Sequence, residues 1–239
     1  MKNSEKNTDE WIEPPEAPLA EEVTQGIAVA MNAIPYGGGV LAGIVQSVIS
    51  RRQNRRLNDF LNRLVKEVQG IKDQLNEEFM KSEDFGDLAE EIITKAADTR
   101  QAEKLDAFRA IFLNSILSDH PDYNEISEIA DLITRWQPRH TIMLKILFNP
   151  RNADQQMGIV IGDQETAFSS IRGLLKKLLP EWTDDQIERT WKDLYDANIH
   201  ATPGIKTMMT GRGISQLENR LTEFGMRLAS FIRNPVSEE

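Results

Sequence analysis

The sequence predicts a mainly α protein: an N-terminal helical bundle built on one long helix, then a C-terminal part with a small β-hairpin and a closing helix. Three observations carry this expectation. Leu, Ile, Ala, Glu, Lys and Arg dominate a chain of 239 residues whose aromatic fraction is only 7%, a mixture that favours helices over strands. Segment after segment opens on a residue suited to capping a helix and continues with apolar residues three and four apart. Finally, Leu57, Leu61, Leu64, Val68, Ile71 and Leu75 follow a 4-3-4-3-4 spacing, the seam of a helix lying along a partner.

Residues 1–19 are expected to form a flexible acidic arm. They contain Pro14, Pro15 and Pro18 and lack the apolar core of a secretory signal, with Trp11 and Ile12 as side chains able to anchor it. From Val23 to Ser50 the chain carries no charge over 28 positions. Length alone would let this stretch span a bilayer. Pro35-Tyr36-Gly37-Gly38-Gly39 interrupts it, however, so two short apolar helices, roughly 20–34 and 39–50, joined by a tight turn are expected. Gly39 and Gly43 form a GxxxG step that lets a second helix approach closely. Together with Ile44, Val48 and the arginine collar Arg51, Arg52, Arg55 and Arg56, they are the candidate self-association or membrane surface.

The long helix is expected over about 39–80, its seam buried in a bundle of residues 20–133. Ser82-Glu83-Asp84 opens the next helix with an N-cap and an acidic first turn, and Phe85, Leu88, Ile92 and Ala96 give it one apolar face. After a turn at residues 98–100 comes a helix with Leu105, Phe108, Ile111, Phe112, Ile116 and Leu117 at helical spacing. Asp122, with Glu125 three positions on, caps another.

In residues 134–239, Pro138 starts a helix that ends before Pro150. Residues 149–164 have no clear period and are expected to be a loop, with a short strand at Ile159–Ile161. Glu165–Leu179 reads as a helix, and Thr183 and Gln186 make a capping box for the next, which carries Ile187, Trp191 and Leu194. Asn198–Met209 and Ile214–Leu221 are strand candidates around Gly211-Arg212-Gly213, and Thr222 can cap a final helix.

That succession resembles a winged-helix domain. The third helix ends in DLYDANI, a wing follows, and LTEFGMRLASFI re-enters a helix. The resemblance implies DNA binding or protein contact. In the DNA-binding version the third helix would enter the major groove, yet it carries Asp184, Asp185, Glu188, Asp193 and Asp196 against only Arg189 and Lys192. Lys206, Arg212 and Arg220 on the wing are the better phosphate contacts. The N-terminal half resembles helical bacterial proteins of abortive-infection type, in the apolar Gly-containing stretch, the arginine-rich helix and the pair EEIITKAADTRQAEKLDAFRAIFLNSIL. That resemblance implies a phage-defence setting and carries over no active residue.

Chemistry is excluded more readily than assigned. There is no cysteine, which rules out disulfides, thiolate metal sites and a cysteine nucleophile and suits a reducing cytoplasm. His120, His140 and His200 lack metal-ligand spacing. The compact cluster Asp119, His120, Asp122 and Glu125 is explained by loop polarity and helix capping. No phosphate-binding glycine loop and no GxSxG occur, so no catalytic residue, metal or cofactor is expected. The net charge is −10. Residues 134–239 hold 14 Lys and Arg against 13 Asp and Glu, leaving 14 against 25 in residues 1–133, a balance that opposes non-specific nucleic-acid binding. The expected function is that of a non-catalytic interaction protein, cytoplasmic, meeting a second copy or a protein partner. The alternatives are an effector that inserts residues 23–50 into a bilayer and a DNA-binding regulator.

Overall fold

A computed structural model describes residues 34–51, 55–151, 170–206, 217 and 219–236. The expected acidic arm, the first apolar helix of the hairpin, the strand at Ile159–Ile161 and the tip of the wing lie outside them. Within them the chain is mainly helical. The order is α1 (Gly38–Arg51), α2 (Arg55–Gly70), a 3-10 turn (Lys72–Gln74), α3 (Glu77–Met80), α4 (Glu83–Asp98), α5 (Ala102–Leu117), α6 (Tyr123–Arg135), α7 (Pro138–Phe148), α8 (Ile171–Leu178), α9 (Asp184–Asp196) and α10 (Glu223–Phe231).

Helix α5 is the hub. It packs against α2, α4, α6, α7 and α10 because its sequence, AEKLDAFRAIFLNSIL, is apolar around most of its circumference rather than along one stripe. Phe108, Ile111, Phe112, Leu113 and Ile116 are all at most 1% exposed. Phe85 of α4 lies 6.1 Å from Phe112 and 5.8 Å from Phe79, centroid to centroid, the second pair edge-on. A single buried cluster takes residues from α1 through α10 and so crosses residue 134.

The long helix expected over about 39–80 is broken. The seam residues Leu57, Leu61, Leu64, Val68, Ile71 and Leu75 are all buried, but α2 ends at Gly70 and Leu75 is extended, with φ −69° and ψ 138°. Glycine carries the lowest helix propensity after proline, and Asn76 then starts a new helix. Its Oδ1 accepts from Phe79 N at 2.9 Å, its Nδ2 donates to Ser118 O at 2.7 Å, and its own N–H donates to Ile116 O at 2.8 Å. The break therefore satisfies the carbonyl end of α5.

Most caps form where the sequence places them. Ser82 accepts from Phe85 N, Asp122 from Asn124 and Glu125 N, Thr183 from Gln186 N, and Thr222 from Gly225 N. Glu125 itself turns away to pair with Arg227 of α10. Helix α8 starts at Ile171, where Ser170 is extended and its side chain accepts from Gly173 N; residues 165–169 of the helix expected from Glu165 lie outside the described ones. Most of the expected β-hairpin, residues 207–216, lies outside the described residues; at its base His200 and Leu221 form an antiparallel bridge. It is flanked by Ala201 N–H to Arg220 O at 3.2 Å and Thr222 N–H to Ile199 O at 3.0 Å.

Helix α10 returns to the hub. Asn114 of α5 reaches its C-terminal carbonyls, donating from Nδ2 to Phe231 O at 3.0 Å and Arg233 O at 2.9 Å. Asn234 Nδ2 donates to Glu67 Oε1 at 2.8 Å, and Glu67 Oε2 faces Arg109 Nε at 2.7 Å. No hydrogen-bond alignment accompanies that last contact, so its attraction is coulombic. A Cβ on Gly225 would stand 2.0 Å from Ile199 O, so α10 can lie against this turn only with glycine there.

Candidate interaction surface

Helix α1 divides its faces sharply. Leu41, Ala42, Val45 and Val48 are buried, and α1 packs on α4. Around the rest of the helix, Gly39, Val40, Gly43, Gln46 and Ser47 are exposed, Val40 by 49%. A Cβ built on Gly39 or Gly43 meets no described residue within 4 Å. The glycine step is thus not filled by another described helix of this chain. Successive residues advance roughly 100° around a helix, so Gly39, Gly43 and Ser47 form one small-residue row with Val40 beside it.

The turn into α1 is held in place. Tyr36 adopts φ 67°, a left-handed conformation that few side chains tolerate. A Cβ on Gly37 would stand 2.6 Å from Phe85 Cε1, so the chain approaches α4 too closely for any other residue. The Tyr36 phenol is hydrogen-bonded to Glu77, which raises the phenol's pKa and lowers that of the carboxyl. Lys81 Nζ lies 3.3 Å from Glu77 Oε2 and 4.5 Å from the Tyr36 ring centroid. Tyr36, 49% exposed, stands at the N-terminal end of the open row.

Other members of the sequence-predicted set are placed elsewhere. Val48 is buried in the core and Ile44 is half-buried against it, so neither belongs to the open glycine row. Arg51 ends α1 and Arg55 begins α2, Arg56 is exposed, and Arg52 lies outside the described residues. The surface signal that sequence reasoning misses is the pair Tyr36 and Val40. Among the described residues no helix is long and apolar enough to cross a membrane.

The wing contacts are engaged within the chain. Lys206 Nζ lies 3.1 Å from Glu188 Oε1. Arg220 Nη1 donates to Thr202 Oγ1 at 3.2 Å, and burial lowers its pKa. Arg212 lies outside the described residues. The acidic groups of α9 are likewise paired: Asp184 and Glu188 with Arg172, Asp185 with Arg189, Asp196 with Lys192, and Asp193 with His140. Comparison of the chain with protein-family models, curated proteins and solved structures finds no match.

The two buried histidines are occupied on both nitrogens. Gln137 N–H donates to His140 Nδ1 at 3.0 Å, which leaves Nε2–H for Asp193 Oδ2 at 3.0 Å. Thr202 N–H donates to His200 Nδ1 at 3.3 Å, and Nε2 donates to Trp191 O at 3.0 Å. Burial pushes the His200 pKa down, in keeping with a neutral ring held by a backbone donor and a backbone acceptor. The His140 ring stacks on Trp136 at a centroid distance of 5.6 Å, and the His200 ring packs tilted against Trp191 at 4.0 Å. Both fasten α9, to α7 through His140 and to the bridge through His200. Among the described residues no group of three or more His, Asp or Glu could hold a metal ion.

Proposed function

We propose that this protein is a non-catalytic interaction protein that self-associates, the Gly39–Gly43–Ser47 row of α1 receiving the same row of a second copy. The winged-helix-like C-terminal part then serves protein contact rather than DNA reading. The reading is carried by one observation: at Gly39 and Gly43 no described residue lies within 4 Å of the position a Cβ would take, on a helix whose opposite side is fully packed. A two-fold axis brings the same patch of each subunit together. Without side chains in the way, the two backbones can approach closely, and Val40 and Tyr36 at the margins leave water on contact. The internal pairing of Lys206 and of the α9 carboxylates favours a protein-contact role for the C-terminal part over phosphate binding.

Sedimentation equilibrium across a concentration series tests this. The wild-type chain is expected to pass from monomer to dimer. The double variant Gly39→Leu/Gly43→Leu is expected to stay monomeric while keeping or raising its melting temperature, since no described residue of the monomer lies within 4 Å of either new Cβ. A wild-type chain that remains monomeric at the highest concentration, or a variant that still dimerises, overturns the reading.

A further inference from the structure

Away from α1, a cleft of about 350 Å³ opens where the turn between α4 and α5 meets the C-terminal end of α6. Two lysines line it, and they differ in a way that decides its chemistry. Lys95 is already neutralised: Nζ lies 3.0 Å from Glu91 Oε1 and 2.7 Å from Asp131 Oδ1. Burial works against its charge, but these two carboxylates outweigh it and raise its pKa. Lys104 has no such partner among the described residues. It is only 9% exposed, and its ammonium donates to Thr134 O at 2.7 Å, capping the carbonyl end of α6. Burial alone acts on its pKa, which it lowers.

An ammonium has three donors, and one is spoken for. Arg100, exposed on the same turn, forms no ion pair among the described residues. Gln101, the N-cap of α5, makes no side-chain cap bond, so the first-turn amides of that helix add their partial positive charge at the same place. Against these stands Glu103 in the first turn of α5. That carboxylate disfavours a polyanion, while a molecule with a single anionic group can lodge it at the ammonium and leave the rest of its body outward.

We infer that this cleft binds a small oxyanion, a carboxylate- or phosphate-bearing metabolite of low total charge, with the Lys104 ammonium as buried anchor and the Arg100 guanidinium closing over it from the rim. A purely structural Lys104 would cap α6 and gain nothing from added anions.

The test uses the full chain titrated with sodium acetate and, separately, with sodium phosphate, each against sodium chloride at equal ionic strength. Melting temperature and the backbone amide NMR shifts of Gln101–Lys104 are followed. The expected result is a saturable shift of those amides and a rise in melting temperature beyond the chloride control. Acetate alone acting identifies a carboxylate ligand, phosphate alone a phosphate ester, and either supports the site. Arg100→Gln, on an exposed turn, is expected to weaken binding about tenfold, the worth of one charge-assisted hydrogen bond. Lys104→Gln is expected to abolish it. Amides that respond no more than in chloride, or a response that survives both substitutions, overturn the inference. The wild-type titration decides for or against the site even where Lys104→Gln fails to fold.

Discussion

Helices α1 and α5 are both apolar, yet the chain treats them differently. Around α5, bulky side chains point in most directions and five helices cover them. Around α1, one face carries Leu41, Val45 and Val48 and is covered by α4, while the other carries Gly39, Gly43 and Ser47 and is covered by no described element. What separates the two is where side-chain volume sits around the axis. Burial stabilises in proportion to the apolar area removed from water, and a glycine row offers little. A helix with volume all round becomes a core. A helix with volume on one side becomes a lid with an outer surface.

The largest effect that would break this contrast lies at the hub. Phe112→Ala removes a ring that is 1% exposed and packed against Phe85, and it is expected to cost about 3–5 kcal/mol in urea unfolding. A cost below about 1 kcal/mol, the range of surface changes, would mean that α5 is not the centre of the core. Next comes the polar tie between hub and C-terminus. Asn114→Ala takes the donor from Phe231 O and Arg233 O and is expected to cost about 1–3 kcal/mol. Hydrogen exchange should quicken in α10 while α1 keeps its protection; equal loosening of both helices would show that Asn114 supports the whole body and not this one junction.

Local chemistry is legible in the sequence and distant chemistry is not. The caps at Ser82, Asp122, Thr183 and Thr222 are decided within three or four residues, so their identity alone announces them. The seam from Leu57 to Leu75 is buried as its spacing predicts, but it is not one helix, since burial of Ile71 and Leu75 does not need helical backbone. Gly70 and the cap-like Asn76-Glu77-Glu78 are the residues that mark the break. Helical geometry also holds the arrangement of α1. Val48, nine positions from Gly39, falls roughly 180° away around the axis, so grouping it with the glycines joins opposite faces. The contacts of Asn114 with α10 span more than 115 positions, and nothing local announces them. The same holds for Lys104, whose place at the end of α6 depends on how three helices meet.

The smallest effect sharpens the contrast most, because its sign is the reverse of the others. Gly43 sits inside α1, exposed, with no described residue within 4 Å of the place of a Cβ. Glycine in a helix interior gives up more backbone entropy on folding than alanine does. Gly43→Ala is therefore expected to stabilise the monomer by about 0.5–1 kcal/mol, measured by urea unfolding at concentrations too dilute for association. A covered face would respond the other way, as at Gly225, where the added carbon would collide with Ile199 O. Destabilisation by Gly43→Ala would thus mean that something in the monomer already occupies that side of α1, and the open face on which self-association depends would be closed.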